Sequence, residues 1–531
     1  MSEPTAKTTP LYWFDLFGRR LTRRDFVRIG SGAAGVIALG GLPGCRGRSL
    51  RFTAEPFTFG VASGDPSPDG VVLWGRLDAS VVRDAGASQL PVDVSWEIAA
   101  DDSFRQIVRS GRADALPELG HSVHIEAAGL ESGTEYFYRL HSGGATSPVG
   151  RTKTLPALDA DVRGFDFALA SCQHYEQGYF TALRHLAGED VDLIVHLGDY
   201  IYEGAATDRW VRSHEGPEPL TLDQYRARYT TYRLDPDLQA AHHAAPWVAS
   251  TDDHEVENNY AGRFPDNDTS PEDFLLRRAA AYQAFYEFLP LRRSSMPSGP
   301  DALMYRRLKL GSLMEMSVMD TRQYRDDQPC GDRFRPTCEE HMDPSRTIMG
   351  SAQREWLFDG LAESTARWNV LAQQVLVSRF RSYDGDGRET WTMDKWDGYP
   401  FDRQALFDVL ANTGVTNPIV LTGDIHSNWV GRLLRDFNDE NSEVLGTEFT
   451  CTSLTSGGDG EPSAAIGAQA LPHNPHFDFY NSQRGYILCS VAPGSWTSRY
   501  RRVPIVEQRG GIVEDLATFV VENGEPGVQR A

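Results

Sequence analysis

A chain of 531 residues, 40% apolar and 24% charged, is long enough for two or three cored domains and has neither a disordered nor a fibrous composition. Its formal net charge is −22, yet residues 1–50 carry eight Lys/Arg against three Asp/Glu, so the remainder carries −27. A surface that acidic excludes a broad nucleic-acid platform built on phosphate contacts. It still admits a small anionic substrate wherever bound cations invert the local field.

At the N-terminus, Thr22-Arg23-Arg24-Asp25-Phe26-Val27-Arg28 precedes an apolar stretch from Gly30 to Leu42. That stretch is too short and glycine-rich for a membrane span, and a basic region before a short apolar one is the build of an export signal. The arginine pair followed by an apolar residue resembles the twin-arginine signal, whose translocation machinery carries proteins already folded, often around metal. Residues 1–50 are read as that signal region, which places the protein at the cell surface, in the periplasm or outside the cell. Leu42-Pro43-Gly44-Cys45 resembles a lipoprotein processing site, but Pro43 fits it poorly. A lipid anchor at Cys45 and a lipid-free product therefore both stand.

Residues 52–155 hold short alternating runs (VVLWGRL, VDVSWEIA, IVRSGRA, HSVHIEAAGL, EYFYRLHS) separated by turns such as GDPSPDG and ESGT. This spacing predicts a small β-sandwich with Trp74 and Trp96 in its core and no chemistry of its own. LESGTEYFY, residues 130–138, resembles the turn and tyrosine strand of fibronectin type III domains. Residues 152–161 read as a linker.

From residue 162 to 531 the pattern becomes α/β. FDFALAS, a helical stretch near Tyr179–Leu186 and DLIVHLGD make a β-α-β unit. Residues 205–245 read as helix and loop. Ser270-Pro271-Glu272-Asp273 is a helix start, with a capping serine, proline in the first position and acids in the first turn. Further strands are expected at 313–320, 369–374 and 418–423, a helix at 351–363, and short β runs from Glu448 onward. Tyr399-Pro400 reads as a turn. No phosphate-binding glycine loop, nucleophile elbow or dinucleotide fingerprint stands at a strand end. Of six cysteines, Cys330 and Cys338 suit a short disulfide in a polar loop. Cys451 and Cys489 are either paired or simply buried.

Four apolar runs end in groups able to bind metal or carry protons. FDFALAS ends at Cys172, and LIVHLG ends at Asp199 with Tyr202 and Glu203 just beyond. PWVAST ends at Asp252-Asp253-His254-Glu255, and PIVLTG ends at Asp424-Ile425-His426. Each group alone is a weak signal. Together they place hard oxygen, imidazole, phenol and thiol donors where open α/β sheets hold ligands, which points to a metal-dependent hydrolase.

In order along the chain, SCQ (171–173), GDYIYE (198–203), TDDHEVENNYAG (251–262), DTRQYR (320–325), KWDGYP (395–400) and GDIH (423–426) resemble the alkaline phosphatase D (PhoD-like) family of calcineurin-like metallophosphoesterases. The resemblance implies a four-layer α/β/β/α metallophosphoesterase sandwich preceded by the fibronectin-III-like β-sandwich domain. It implies a site of ferric iron and calcium, Fe3+ and Ca2+, with Zn2+ or Mn2+ as alternatives. Carried over by position, Cys172, Asp199, Tyr202 and His426 would hold iron. Asp199, Asp253, Asp424 and one of Asn258 or Asn259, here Asn259, would meet calcium. His254 would orient the phosphate or protonate the leaving group, Glu255 would orient that imidazole, and Arg322, with Arg325, would clamp phosphate. Asp397 would support the site from behind or add a cation ligand. Ser171-Cys172-Gln173 replaces the Asp-x-His of the wider superfamily, and Gly423-Asp424-Ile425-His426 replaces its Gly-His-x-His, so generic ligand assignments do not transfer.

The expected function is hydrolysis of phosphate mono- or diesters, small or polymeric, by a metal-bound hydroxide. The alternatives are a phospholipase D-type phosphodiesterase acting on lipid or teichoic-acid-like substrates, and a surface binding protein with a structural metal. The oligomeric state is left open.

Overall fold

The computed structural model describes residues 50–461 and 465–531, with two further short strands, Trp13–Phe14 and Arg20–Leu21, that pair antiparallel. Arg23-Arg24, the apolar stretch after them and Cys45 lie outside the described residues. No helix among the described residues is long and apolar enough to cross a membrane.

Two large sheets dominate. The ten-stranded sheet runs, in spatial order, Glu525–Arg530, Glu514–Glu522, Ser495–Val503, Arg484–Val491, Phe165–Ala170, Leu193–His196, Trp247–Ala249, Val61–Ser67, Gly70–Arg76 and Ser122–Ala128. Four neighbours at its centre, from Phe165–Ala170 to Val61–Ser67, are parallel. The seven-stranded sheet has a parallel centre of Met314–Val318, Trp368–Ala372, Pro418–Thr422 and Val444–Thr450. The central strands read as unbroken apolar runs because both faces are covered.

Side-chain alternation assigns those faces. Phe167, Leu169, Val195 and Val248 pack with Met316, Val370, Ile419 and Leu421 in one core shared by the two sheets. Ala168, Ala170 and Ile194 turn the other way, toward Leu183, Tyr229, Leu238 and Phe285 of the helices Thr181–Leu186, Leu222–Arg233, Pro236–Ala244 and Pro271–Phe288. On the far side of the seven-stranded sheet, Leu371 and Val420 meet Leu357 and Leu406 of the helices Gly350–Glu363 and Pro400–Asn412.

The five strands expected in residues 52–155 form, but they divide between two sheets. Val92–Ala99, Ile107–Ala115 and Glu135–Ser142 join Gly150–Lys153 and Ala145–Thr146 in a five-stranded sheet. Gly70–Arg76 and Ser122–Ala128 instead extend the ten-stranded sheet, through Val61–Ser67. That linking strand was unexpected, because its residues GDPS read as part of a turn. A bulge between Gly64 and Ser67 accommodates Asp65 and Pro66, and Asp65 Oδ1 accepts from Arg306 at 2.8 Å. Trp74 is buried as expected, whereas Trp96 is half-buried.

Ser270 caps its helix as expected, its Oγ accepting from Asp273 N, with Pro271 in the first turn. Tyr399-Pro400 is no turn, because Pro400 opens the helix Pro400–Asn412, where a missing N–H leaves nothing unsatisfied. Cys330 and Cys338 are bonded. Cys451 and Cys489 are free and lie in the core shared by the sheets.

His196, in the Leu193–His196 strand, stacks on Trp247 with neither ring nitrogen hydrogen-bonded. Burial pushes its pKa down to about 3, from 6.5. Between those values the unfolded chain takes up a proton that the folded chain refuses, so stability falls as pH falls through that window. At pH 5 this residue alone costs about 2 kcal/mol. Calorimetry should therefore show a smaller drop in Tm from pH 7 to pH 5 in His196→Leu than in the parent protein.

Candidate active site

The parallel strands of both sheets deliver their carboxyl ends to one place. The turn after Phe165–Ala170 carries Cys172, that after Leu193–His196 carries Asp199, and that after Trp247–Ala249 carries Asp252, Asp253 and His254. From the other sheet, the turn after Met314–Val318 carries Arg322 and the turn after Pro418–Thr422 carries Asp424 and His426. Cys172 N donates to Gly198 O at 3.1 Å and Gln173 N to Asp199 O at 3.0 Å, so the first two turns are tied by backbone. Gly198 lets the next turn approach: a Cβ on it would meet Asp252 N at 2.5 Å, and its φ is +105°.

Cys172 (φ 59°), Asp199 (56°), Asn259 (53°), Asp424 (59°) and His426 (54°) all adopt left-handed backbone. Asn, Asp and His tolerate that conformation better than most residues, but it carries strain, and strain of this kind gathers at functional sites. It also explains how Asp424 and His426, two apart on what would be an extended segment, turn toward the same place.

The donors fall into three overlapping groups, each with ligand atoms within 4.8 Å of one another: Cys172, Asp199 and His426; Asp199, Asp253 and His254; and Asp252, Asp253 and Asp424. Asp199 links the first group to the second, and Asp253 links the second to the third. Tyr202 joins the first group through its phenol oxygen, 2.6 Å from Asp199 Oδ2 and 3.0 Å from His426 Nε2. Asn259 N donates to Asp253 Oδ2 at 2.6 Å. Asp199 Oδ1, Asp253 Oδ1 and Asp252 Oδ2 are buried without a hydrogen-bond partner among the described residues. An unpartnered buried acceptor is costly, and cations held by these groups would supply the missing partners. Burial, offset in part by Arg322 and reinforced by neighbouring carboxylates, pushes Asp252 well above the usual carboxylate range. Burial and Asp199 likewise push the Cys172 thiol and the Tyr202 phenol well up. The donor set therefore fits one cation that takes thiolate, phenolate and imidazole, beside another that takes carboxylates.

His254 Nδ1 lies 2.7 Å from Glu203 Oε2, and Glu203 also accepts from Asn258 N at 2.8 Å. Burial would lower the pKa of this imidazole, but Glu203, Asp199 and Asp253 hold it well above 6.5. The expectation that Glu255 orients His254 is thus corrected. Glu255 accepts instead from the backbone N–H groups of Tyr200 (2.5 Å) and Asp252 (2.7 Å), fixing two of the ligand turns. Burial and Asp199 push its pKa up to about 8.

Arg322 is fully buried, with Nε 2.5 Å from Asp252, Nη1 2.8 Å from Asp394 and Nη2 3.0 Å from Asp424. Arg325 is spent on Asp394 and on the carbonyl of Tyr260. Neither lines the cleft, so the expected phosphate clamp is not presented to it; both arginines hold carboxylates in place. The cleft is lined instead by Lys395, which is ion-paired with Asp424, and by Arg333. Asp397 stands away from the donor groups, accepting from Phe380 N and pairing with Arg403. His242 and His243 serve the scaffold, one bonding the Tyr200 hydroxyl and the other accepting from Val61 N.

Sequence reasoning named Glu203 without its role, and missed Asp394, Gln374 and Ser456. Glu203 lay in view, inside GDYIYE, but its partner is 51 residues away. Gln374 bridges the sheets, accepting from Thr321 N and donating to Ser250 Oγ at 3.0 Å each. Ser456 Oγ lies 2.7 Å from the Tyr202 phenol oxygen. The whole surrounds a cleft of about 360 Å³ lined by Asp199, Asp253, His254, Asp424 and His426, with Asp332, Arg333 and Phe334 along one wall.

The chain is similar to known proteins over most of its length. The sequence model of PhoD-like phosphatases matches residues 167–500, and that of the PhoD-like phosphatase N-terminal domain matches residues 44–156. Alkaline phosphatase D of Bacillus subtilis (strain 168) is 47% identical over 484 residues, which is 90% of this chain and 83% of that protein. A solved structure of PhoD superposes with a TM-score of 0.88 at 47% identity, over 91% of this chain and 93% of that one.

Proposed function

The chain belongs to the PhoD-like phosphatase family, and from that premise we propose that it is a phosphoric ester hydrolase acting on phosphate monoesters, diesters or both. The observation that carries this reading is the overlap of three donor groups, through Asp199 and Asp253, inside one cleft. Cys172, Asp199, Tyr202 and His426 would hold iron(III), and Asp199, Asp253, Asn259 and Asp424 would hold calcium. Bound there, the cations supply Lewis acidity toward phosphoryl oxygens and a water that ionises near neutral pH.

The chain's own groups do the rest. His254, its Nδ1 fixed by Glu203, holds a proton on Nε2 and gives it to the leaving alcohol oxygen as the P–O bond breaks. Lys395 at the wall of the cleft meets a non-bridging oxygen. Arg322 and Arg325 hold Asp252, Asp394 and Asp424 in place. Phe334 and Ile425 in the lining favour a diester with an apolar or ring-bearing substituent, which keeps the phospholipase D-type reading open as a second one.

The finer architecture belongs to the same proposal. We read residues 162–531 as a four-layer α/β/β/α catalytic domain, supported by cores on both faces of both sheets. Residues 52–155 are read as a fibronectin-III-like domain that donates strands to it. Arg23-Arg24 and the apolar stretch after them support export by the twin-arginine machinery, with Cys45 as the residue that a lipid anchor would use.

The test is elemental analysis and a visible spectrum of protein purified without chelator, beside its rate on a nitrophenyl phosphodiester. Iron, calcium and a tyrosinate–iron(III) band that Tyr202→Phe abolishes are expected. Zinc or manganese without the band would overturn the iron assignment alone, and folded protein without stoichiometric metal or activity would leave the surface-binding reading.

A further inference from the structure

The wall of the cleft formed by Asp332, Arg333 and Phe334 is an unusual piece of chain. Cys330, Gly331, Asp332 and Arg333 are four consecutive residues with left-handed φ, at 60°, 82°, 58° and 61°. L side chains rarely adopt that backbone, so it persists only where the surroundings fix it. Four restraints do so here. The Cys330–Cys338 disulfide closes the loop. Asn259 Nδ2 donates to Asp332 Oδ2 at 2.8 Å, and Met393 N donates to Arg333 O at 2.9 Å. Phe334 and Arg335 then pair with Thr392 and Trp391 as a short antiparallel ladder. One restraint comes from the loop that carries the ligand candidate Asn259, so this wall is tied to the metal site.

The wall presents Arg333 and Phe334 to the cleft. Arg333 is exposed and makes no ion pair or side-chain hydrogen bond among the described residues. The other cations of the lining are each ion-paired and serve the reacting phosphate, Lys395 beside Asp424 and His254 beside Glu203. Phe334 is 49% exposed, with its ring braced edge-on against Phe380. The remaining charge of the lining is carboxylate, on a protein of net charge −22, which repels any negative charge on the substrate beyond the reacting phosphate.

We propose that Arg333 is a specificity-determining residue that receives a second anionic group, phosphate or carboxylate, borne by the non-leaving substituent of the ester, with Phe334 as the face on which that substituent lies. This rests on the phosphoesterase reading and names what the cleft selects. A guanidinium carried on a restrained backbone suits such recognition, because its planar donors match either anion in a bidentate manner.

The test uses two diesters with one leaving group: 4-nitrophenyl phenyl phosphate, and its analogue with a carboxylate at the 4-position of the phenyl ring. Each is assayed with the metal-loaded parent protein, Arg333→Gln and Arg333→Lys. In Arg333→Gln the preference for the carboxylated ester, as a ratio of kcat/KM values, should fall roughly five- to tenfold, through KM rather than kcat. Arg333→Lys should keep part of it, and raised salt should shrink it in the parent protein. A ratio unchanged in Arg333→Gln, or lost through kcat alone, would overturn the assignment. A parent protein that cleaves neither ester would instead overturn the phosphoesterase reading on which it stands.

Discussion

Asp199→Asn is expected to lower kcat/KM on every phosphate ester by about a thousandfold or more, in protein that still folds. Asp199 is shared by two donor groups, so losing its charge weakens both cation sites at once. The exchange is nearly isosteric, and asparagine tolerates the left-handed backbone at φ 56° as well as aspartate does. Its amide can still face the Tyr202 phenol, which lies 2.6 Å from Oδ2 in the parent protein. The loss should therefore appear in metal content and rate and not in the circular dichroism spectrum. Elemental analysis beside steady-state kinetics would decide it. A variant that keeps full metal and loses less than tenfold in rate would show that no cation depends on Asp199.

His254→Asn should discriminate between leaving groups. If the imidazolium gives its proton to the departing oxygen, esters of alkyl alcohols, which leave poorly as alkoxides, should slow by about 10²- to 10³-fold. Nitrophenyl esters, whose leaving groups need no proton, should slow by about tenfold or less. Glu203→Gln removes the carboxylate that holds Nδ1 at 2.7 Å and should show a weaker form of the same pattern. The measurement is kcat/KM across esters of graded leaving-group pKa, for parent and variants. An equal loss for all of them would remove His254 from proton transfer and make it a candidate metal ligand, which its nearness to Asp199 and Asp253 also fits.

The clustering of the candidate ligands was legible because chemistry and topology share one signal. A buried parallel strand needs an unbroken apolar run, and the first polar residue after it stands where the sheet presents its ligands. Cys172, Asp199, Asp253 and Asp424 each follow such a run, and the structure brings them together. What stayed hidden were pairings between distant segments. Glu255, next to His254 in sequence, was the natural partner to expect, yet neighbours along a tight turn point apart, and Glu203 arrives from another turn. Arg322 looked free to meet substrate because nothing local shows that it is packed against Asp252, Asp394 and Asp424. The Val61–Ser67 strand was masked by Gly, Asp and Pro, which mark turns in most contexts and here form a bulge. Tyr399-Pro400 failed in the opposite sense, since a proline that ends one element can begin the next.

The Phe165–Ala170 strand, which leads to Cys172, is flanked on one side by Leu193–His196 and on the other by Arg484–Val491. The first neighbour is made soon after it during synthesis, and the second follows more than 300 residues later. A nascent chain on the ribosome can therefore assemble the helical face early, yet must keep one edge of its central strand open until the last tenth of the sequence has emerged. Loop closure over such a span is slow, and an open apolar edge invites pairing with the wrong partner. The cost of this architecture falls on biogenesis: the chain needs shelter during translation, and a truncation before Arg484 would yield an aggregating product and not a weaker enzyme.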